Sequence, residues 1–301
     1  DSHQAAYIRA EALWQRGAVI TQLCPSDHAC TDRAAKICSA SKQSPSSKKA
    51  FKTHSKPIIP WAVAACALAA VVAGYFMLPT QTQRQHLVSA IGDQKEYFLE
   101  DGSRIILNTN TELDIELTHT TRKANLLRGE VYFDVQPNPK RPFDVHTNTG
   151  MVRVLGTHFS VRQLPTDVRV TVEEGLVALG ANTPQQTFTP WVQLKTNQQL
   201  SFKQAQAGES AQTISSQSVL AWRNKQLVFK KQPLAAAIDE LMRYYDVTIQ
   251  IDDPAIQAKE ITAVIQLHDL TNMLGALCQP LNLQAEFSTD KRIVRLTAKT
   301  H

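Results

Sequence analysis

Apolar and polar residues alternate over short runs from about residue 95 to residue 203, and the runs are rich in Val, Ile, Leu, Phe and Thr. Polar turn signals, such as Asp101-Gly102 and Glu174-Gly175, separate many of these runs. Short alternating runs with regular turns are typical of antiparallel strands. The predicted strands cover residues 97–99, 103–107, 111–117, 123–128, 130–135, 143–147, 151–154, 158–162, 167–172 and 176–179. We therefore expect residues 80–203 to form an all-β domain, either a sandwich or a jelly-roll-like fold.

The period changes after a polar segment, residues 204–217, which is predicted to be a linker. Apolar residues at helical spacing follow Pro233, a residue that fits the first turn of a helix. A second helix is predicted over 269–278, with Asp269 near its N-cap. The predicted strands in this part cover residues 226–229, 247–251, 261–266, 283–287 and 293–296. Residues 218–301 are therefore expected to form a small α+β domain of two βαβ-like halves.

One long stretch, residues 58–78, is apolar and has no charged residue. Its 21 residues are enough to span the hydrocarbon core of a bilayer as a helix. Trp61 and Tyr75 lie near its two ends, where aromatic side chains favour the membrane interface. A signal peptide would have a shorter apolar core, and a buried soluble helix is rarely apolar on every face. We predict a single transmembrane helix within residues 57–79.

The net charge of +5 is concentrated before this stretch. Residues 1–56 contain nine Lys and Arg against four Asp and Glu, and the rest of the chain is balanced. In the 20 residues after the stretch, Arg84 and Lys95 are the only basic residues. Because positive flanks stay in the cytoplasm, the N-terminus is predicted to be cytoplasmic and the C-terminus periplasmic, in a single-pass protein of the inner membrane. A nucleic-acid-binding domain would spread its positive charge over the folded part, so direct nucleic-acid binding is not expected.

Four potential metal ligands lie in the tail: Cys24, His28, Cys30 and Cys38. Their spacing lacks the paired C-x-x-C arrangement that is usual in zinc sites. Free thiols persist in the reducing cytosol, which is where the charge asymmetry places this segment. The sequence therefore predicts free cysteines, and neither a bound metal nor a cofactor.

Two pairs of carboxylates are candidates for glycosidase-like acid–base chemistry: Glu130 with Asp134, and Glu173 with Glu174. Glu130 and Asp134 are four residues apart, which places them on one face of a strand. Glu173-Glu174 precedes a glycine and is predicted to lie in a turn. The interpretation we favour is a solvated strand face and a turn. No phosphate-binding loop and no hydrolase motif occurs, so a membrane-tethered hydrolase is the weakest hypothesis and the chain is not expected to be an enzyme.

Five sequence islands in the predicted β domain carry a resemblance to a known family. They are Asp101-Gly102-Ser103 with Leu107-Asn108, the run 127–135, the run 141–145, the run 154–161, and Val172-Glu173-Glu174-Gly175. This part resembles the FecR family of bacterial anti-sigma regulators. A run that begins at Ala221-Trp222 and includes Arg243-Tyr244-Tyr245 is also similar to the family. The βαβ pattern there is similar to the secretin/TonB N-terminal short domain.

The resemblance implies a relay across two membranes. A TonB-dependent receptor in the outer membrane binds a metal chelate, commonly an iron siderophore, and its N-terminal signalling domain contacts the C-terminal domain of the regulator. The cytoplasmic tail controls an extracytoplasmic-function sigma factor; residues 12–16, which include Trp14, match the family tail only in part. An alternative is a membrane-anchored periplasmic adapter of a transport or secretion complex without sigma-factor control. The candidate contacts with the receptor are Leu227, Phe229, Val247, Ile249 and Ile251.

The resemblance also implies a candidate site of self-cleavage at Gly156-Thr157. Some members of the family cut themselves at the matching bond, when the Thr hydroxyl attacks the preceding carbonyl and forms an ester. Glycine would supply unusual backbone angles and leave the carbonyl open, and His158 could assist as a base. The alternative is that Gly156 forms a bulge or a tight turn and Thr157 is an ordinary strand residue.

Overall fold

The computed structural model describes residues 83–182 and 187–299. The tail with Trp14 and the candidate metal ligands lies outside these residues, as does the predicted transmembrane stretch 58–78. Within the described part of the chain, no helix has the length and apolar character needed to cross a membrane.

The described residues between 83 and 213 form fourteen strands in two sheets. The strands are β1 (Gln83–Val88), β2 (Lys95–Phe98), β3 (Arg104–Leu107), β4 (Glu112–Leu117), β5 (Arg122–Arg128), β6 (Glu130–Asp134), β7 (Phe143–His146), β8 (Met151–Val154), β9 (His158–Gln163), β10 (Val168–Glu174), β11 (Leu176–Asn182), β12 (Phe188–Lys195), β13 (Gln198–Ser201) and β14 (Gln212–Thr213). The first sheet has the order β1-β4-β5-β7-β8-β11-β12, and the second sheet has the order β14-β13-β10-β9-β6-β3-β2. Strands β5 and β7 run parallel, whereas pairs such as β4–β5 and β6–β9 are antiparallel.

The two sheets pack face to face because most of their strands turn alternate apolar side chains inward. On β10, for example, Val170 and Val172 are buried in the core. Phe133 of the second sheet stacks on Phe159 with 5.1 Å between ring centroids, and it contacts Phe143 of the first sheet at 5.8 Å. The domain is a β-sandwich, so the prediction of an all-β domain is confirmed.

The segment 204–217, predicted to be a polar linker, contains ordered elements. It includes most of helix α1 (Phe202–Gln206), all of β14 and the start of helix α2 (Ser216–Val219). Ser201 caps α1 by accepting a hydrogen bond from the backbone of Gln204, and the Gln204 side chain bonds back to Ser201. Phe202 is buried in the sandwich core, which fixes the start of the segment against the sheets.

The C-terminal domain consists of two small sheets with helices. Its elements are a 3₁₀ turn (Ala221–Asn224), β15 (Gln226–Pro233), α3 (Leu234–Met242), β16 (Thr248–Gln250), α4 (Pro254–Gln257), β17 (Glu260–Gln266), α5 (Leu270–Cys278), β18 (Leu283–Phe287) and β19 (Ile293–Ala298). Strands β15 and β17 pair antiparallel. Strand β19 lies between β16, to which it is parallel, and β18, to which it is antiparallel.

Helices α3 and α5 each contact strands of both small sheets, so the helices lie between the sheets. The apolar residues at helical spacing, including Leu234, Ile238 and Leu241, form the core of the domain together with the inward faces of the strands. The order of elements is the predicted one except for the short helix α4, which was not predicted. However, β15 and β16, which flank α3, belong to different sheets, so the predicted βαβ-like halves do not pair as units.

Candidate functional site

Polar side chains on the outer face of the second sheet are covered by the C-terminal domain. Along β6, Val131 and Phe133 point into the sandwich, so Glu130 and Tyr132 point to the other side. Glu130 is nevertheless only 5% exposed, and Tyr132 packs in one hydrophobic cluster with Trp222 of the C-terminal domain. The two domains therefore share an interface, and its buried polar groups form the candidate functional site.

Glu130 is at the centre of this interface. Its Oε2 atom accepts a hydrogen bond from Arg243 Nη2 at 2.9 Å and from Asn108 Nδ2 at 3.0 Å. Asn108 also donates to the Tyr244 hydroxyl at 2.9 Å. Burial, reinforced by the negative charge of Glu130, raises the pKa of Tyr244. A buried carboxylate without donors would be costly, so these contacts compensate for its removal from water.

Glu240, in helix α3, connects two arginines from different domains. Its Oε2 atom lies 2.7 Å from Arg162 Nη1 on β9, and its Oε1 atom accepts from Arg243 Nη1 at 2.5 Å. Burial alone would raise the pKa of Glu240, but the charges of Arg243 and Arg162 and their hydrogen bonds hold the pKa below its ordinary value. Burial opposes the charge on Arg243, and attraction to Glu130 and Glu240 outweighs it and raises the pKa of Arg243. Arg162, Glu240, Arg243 and Glu130 therefore alternate in sign along a line of ion pairs that joins the two domains.

A second charged contact lies next to the 3₁₀ turn of the C-terminal domain. Arg223 Nη2 donates to Glu173 Oε1 at 2.5 Å, and the Arg223 guanidinium lies 3.9 Å from the centroid of the Tyr132 ring. The Tyr132 hydroxyl donates to the other carboxylate oxygen of Glu173. Burial, followed by this hydrogen bond, raises the pKa of Tyr132. The arginine is thus held by an ion pair and by a cation–π contact at once.

Two loop residues of the sandwich bind backbone carbonyls of the C-terminal domain. Thr109 Oγ1 donates to the Arg243 carbonyl at 2.8 Å, and Gln94 Nε2 donates to the Trp222 carbonyl at 2.8 Å. Gly92 has a φ of 82°, and a Cβ atom there would lie 3.0 Å from the Tyr244 carbonyl oxygen. Glycine is therefore required both for the left-handed backbone and for the close approach of the two domains.

The predicted solvated face and turn are wrong for Glu130 and Glu173. Glu130 is buried, and Glu173 lies within β10 rather than in a turn. The reason is that a second domain covers this face, so carboxylates that would otherwise meet water meet arginines instead. Asp134 is half-buried and binds Arg104, and Glu174 is exposed. Within residues 83–182 and 187–299, no group of three His, Cys, Asp or Glu side chains is placed to hold a metal ion.

A cleft of about 1050 Å³ lies beside these contacts, between the sandwich and the C-terminal domain. One wall is the outer face of the second sheet, with Arg162, Arg169 and Thr171. The other wall is strand β15, one face of α3 and part of the segment before β15, which includes Trp222. Its size and its polar groups make the cleft suitable for binding a chain segment or a ligand.

The residues predicted to contact a receptor lie mainly inside the C-terminal domain. Leu227, Phe229 and Ile249 are buried in its core, and Val247 and Ile251 are half-buried against that core. Strand β16 forms one edge of its sheet, so pairing of a partner strand near 247–251 is geometrically open there. Strand β19 is the central strand, which excludes edge pairing at 293–296. Receptor binding through these five residues stays a prediction.

Gly156 and Thr157 lie between β8 and β9. The Thr157 hydroxyl donates to the Leu176 carbonyl at 2.9 Å and is buried. Gly156 does not have a left-handed φ; instead, a Cβ atom there would lie 2.5 Å from the Cα of Pro137. Glycine is therefore needed at position 156 because a side chain would clash with Pro137, and not because the backbone has a left-handed conformation. The His158 ring lies 3.0 Å from Asp134 and 3.6 Å from Glu174.

Comparison with known families decides the identity of both domains. Residues 85–178 match the family described as FecR protein, and residues 226–294 match the family described as FecR, C-terminal. The chain belongs to the FecR family. The two FecR matches correspond to the sandwich and to the C-terminal domain, and the resemblance predicted from the five islands is confirmed.

Solved structures share the FecR fold of the chain. Two crystal structures of a candidate anti-sigma factor from Parabacteroides distasonis ATCC 8503, at 1.65 Å and 2.50 Å resolution, superpose with TM-scores of 0.59 and 0.58. Each solved chain is 24% identical to this chain in sequence. The alignment covers 72% of this chain and 100% of the solved chain. A search of curated proteins found no match to the chain.

The arginines of the interface were not predicted from the sequence, and a signal was present only for Arg243 and for the polar partners of the arginines. Asn108, Glu130 and Glu173 fall within the islands that carry the FecR resemblance, and so does Arg243 in the C-terminal run. Arg223, which follows Trp222, had no such signal of its own.

Proposed function

We propose that this FecR-family chain is a transmembrane regulator that relays the state of a TonB-dependent siderophore receptor to a cytoplasmic extracytoplasmic-function sigma factor. Family membership of both domains is the observation that carries the proposal. In this scheme residues 1–56 bind the sigma factor, residues 57–79 cross the inner membrane, and the C-terminal domain contacts the receptor signalling domain in the periplasm. The lysine-rich flank before the uncharged stretch supports this orientation.

The interface between the two domains gives the relay a physical route. A partner that displaces the C-terminal domain must rearrange the contacts of Arg243 with Glu130 and of Arg223 with Glu173. Partly buried ion pairs are costly to break singly, which favours two discrete arrangements over gradual deformation. Strand β1 begins at Gln83, shortly after the uncharged stretch 58–78 ends. A change in the sandwich would therefore act close to the membrane.

A reporter that depends on the sigma factor tests the relay. Cells with the full chain should respond to the receptor ligand, and cells with a chain that ends after Leu220 should not. A full-length Arg243→Gln chain keeps every element and should alter the response at an unchanged protein level. An unaltered ligand response in the shortened chain would contradict the proposal.

The tail is tested by immobilising residues 1–56 and adding the purified sigma factor. We expect binding, and we expect Trp14→Ala to weaken it. A tail that binds no sigma factor would favour the periplasmic adapter, which needs no cytoplasmic partner.

The orientation in the membrane is tested by a reporter enzyme that is active only in the periplasm. The enzyme is fused after His301, and the same enzyme fused before residue 57 is the control. Activity in the second fusion and not in the first would reverse the proposed topology.

A further inference from the structure

Strand β15 has one edge that no described strand covers. It pairs with β17 alone, in a two-stranded sheet. The Lys225 carbonyl accepts a hydrogen bond from the Leu267 amide at 2.7 Å. This bond determines which residues of β15 direct their backbone groups to β17 and which direct them away from it. In an antiparallel pair, every second residue directs its N–H and C=O to the partner strand. Leu227 and Phe229 therefore bond to β17, and the backbone groups of Gln226 and Val228 point to the open edge.

The open edge of β15 forms a wall of the interdomain cleft. The cleft is lined by four consecutive residues of the strand, from Gln226 to Phe229. A strand face would present alternate residues, so consecutive residues indicate that the backbone edge borders the cleft. In agreement, the side chains of Leu227 and Phe229 are only 6% and 3% exposed and belong to the domain core. The cleft thus presents unpaired main-chain donors and acceptors.

Two further groups in the cleft need an acceptor. The indole N–H of Trp222 is buried and has no hydrogen-bond partner among the described residues, although Trp222 lines the cleft and is only 2% exposed. Arg162 of the opposite wall is neutralised by Glu240, and Arg243, on the same side as Trp222, is neutralised by Glu130. Arg169 has no ion-pair partner within the described residues.

We propose that the cleft receives an extended segment of the receptor signalling domain, which adds to β15 as a third strand and places a carboxylate side chain near Arg169. Strand addition gives affinity through main-chain hydrogen bonds, and the side chains along the groove give specificity. A carbonyl or carboxylate oxygen of the segment satisfies the Trp222 indole. The source of the segment rests on the proposed function; the strand site itself rests on the edge, the indole and the unpaired arginine.

Site-specific photo-crosslinking in cells that respond to the receptor ligand tests the site. A photoreactive p-benzoylphenylalanine replaces Val228 in the full-length chain, and the matched control replaces Val264. Val264 is the register partner of Val228 on β17, is 66% exposed and does not line the cleft. We expect an adduct between position 228 and a peptide of the receptor signalling domain, identified by mass spectrometry, and about tenfold less from position 264. Equal adducts from both positions, or an adduct of position 228 to a second copy of this chain, would overturn the proposal.

A proline pair tests the main-chain contacts directly. Val228→Pro removes an N–H from the open edge of β15 and leaves the ladder residues Leu227 and Phe229 unchanged. Val264→Pro does the same on the outer edge of β17 and controls for the effect of proline on the fold. We expect Val228→Pro to abolish the ligand response and Val264→Pro to retain it, at equal protease resistance of the two chains. Retention of the response in Val228→Pro excludes strand addition at this edge.

Charge reversal tests the carboxylate. Arg169→Glu should lower the adduct yield at position 228 about tenfold, whereas Lys195→Glu, an exposed residue of the first sheet, should leave it unchanged. An unchanged adduct yield in Arg169→Glu would contradict the proposal that the bound segment places a carboxylate near Arg169.

A photo-crosslinker at Thr248, on the edge strand β16, separates this inference from the proposed function. Receptor peptides captured from position 248 and not from 228 would leave the receptor as partner and exclude β15 as the site. If neither position captures the receptor and the full chain does not respond to the ligand, both proposals fail.

Discussion

Arg122 is a fully buried charge at one end of the sandwich. It is 1% exposed, and its Nη1 atom donates to Asp101 Oδ2 at 3.0 Å and to the Gln136 carbonyl at 2.9 Å. Asp101 in turn accepts from the backbone and the hydroxyl of Ser103. Burial lowers the pKa of Arg122, and the Asp101 carboxylate opposes that effect. The pair holds together the turns after β2 and β6, so its two charges depend on each other.

We expect Arg122→Met to lower the free energy of unfolding by about 3–5 kcal/mol, because it leaves the Asp101 carboxylate buried without its counterion. Adding Asp101→Asn removes that charge, so the double variant should be more stable than Arg122→Met alone. Equilibrium urea unfolding of the purified chain measures both. A double variant that is less stable than the single one would show that the buried charge is not the cause.

Self-cleavage at Gly156-Thr157, which the FecR resemblance implies, stays a prediction, and it would depend on a hydroxyl group at residue 157. We expect the chain to yield two fragments divided near residue 156, Thr157→Ser to retain them and Thr157→Ala to abolish them, since only the first variant keeps a nucleophile. Gly156→Ala is not a clean test, because its Cβ would meet Pro137. Immunoblotting with tags at both ends measures the fragments. Identical fragments from Thr157→Ala would exclude Thr157 as the nucleophile.

At the scale of single elements, most of the strands that were predicted bury one face, and most of those that were not predicted bury little of their own surface. All ten strands predicted in the sandwich are present, and in all of them but the edge strand β2 apolar residues enter the core. Strands β1, β12, β13 and β14 were not predicted. In β12 only Leu194 is buried, and β14 is exposed throughout, so neither has a period that sequence could reveal. These strands form through pairing with a neighbour rather than through burial of their own side chains.

The candidate site could be predicted only in part, for a related reason. The period of β6 places Glu130 and Tyr132 on the outer face, which is correct. Nothing in that local pattern shows that Arg243, more than 100 residues later, covers the same face. Burial by a distant segment reverses the usual assumption that an outward carboxylate is solvated.

Helix α5 offers a prediction that local sequence did support. The Asp269 side chain accepts a hydrogen bond from the Asn272 amide at 3.1 Å, which satisfies an amide that the first turn leaves free. We expect Asp269→Ala to destabilise the chain by about 1 kcal/mol and Asp269→Asn to cost less, because asparagine also caps helices well. Thermal unfolding of the purified variants measures the difference. Equal losses in the two variants would contradict a capping role.

At the scale of the whole molecule, the two FecR domains are joined by charges rather than by an apolar seam alone. Glu240 forms ion pairs with Arg162 of the sandwich and with Arg243 of its own domain. Arg243 also forms an ion pair with Glu130 of the sandwich. A carboxylate whose pKa is lowered in the folded state stabilises that state only while it is ionised. Its contribution is complete above the ordinary pKa of glutamate, and it is lost as the pH falls through the lowered folded value.

The interface should therefore weaken in acid, and Glu240 should account for part of the loss. We expect Glu240→Gln to be less stable than the wild type at about pH 7, and the gap between them to narrow as the pH falls from the ordinary pKa of glutamate towards the lowered pKa of Glu240 in the folded state, because the contribution of the charge is lost over that interval. Urea midpoints measured over this range give the gap. Asp239→Asn removes an exposed carboxylate one residue earlier and should change the midpoint little over the same range. A gap that is constant or that widens in acid would mean that Glu240 stabilises the interface by its shape and hydrogen bonds, and not by its charge.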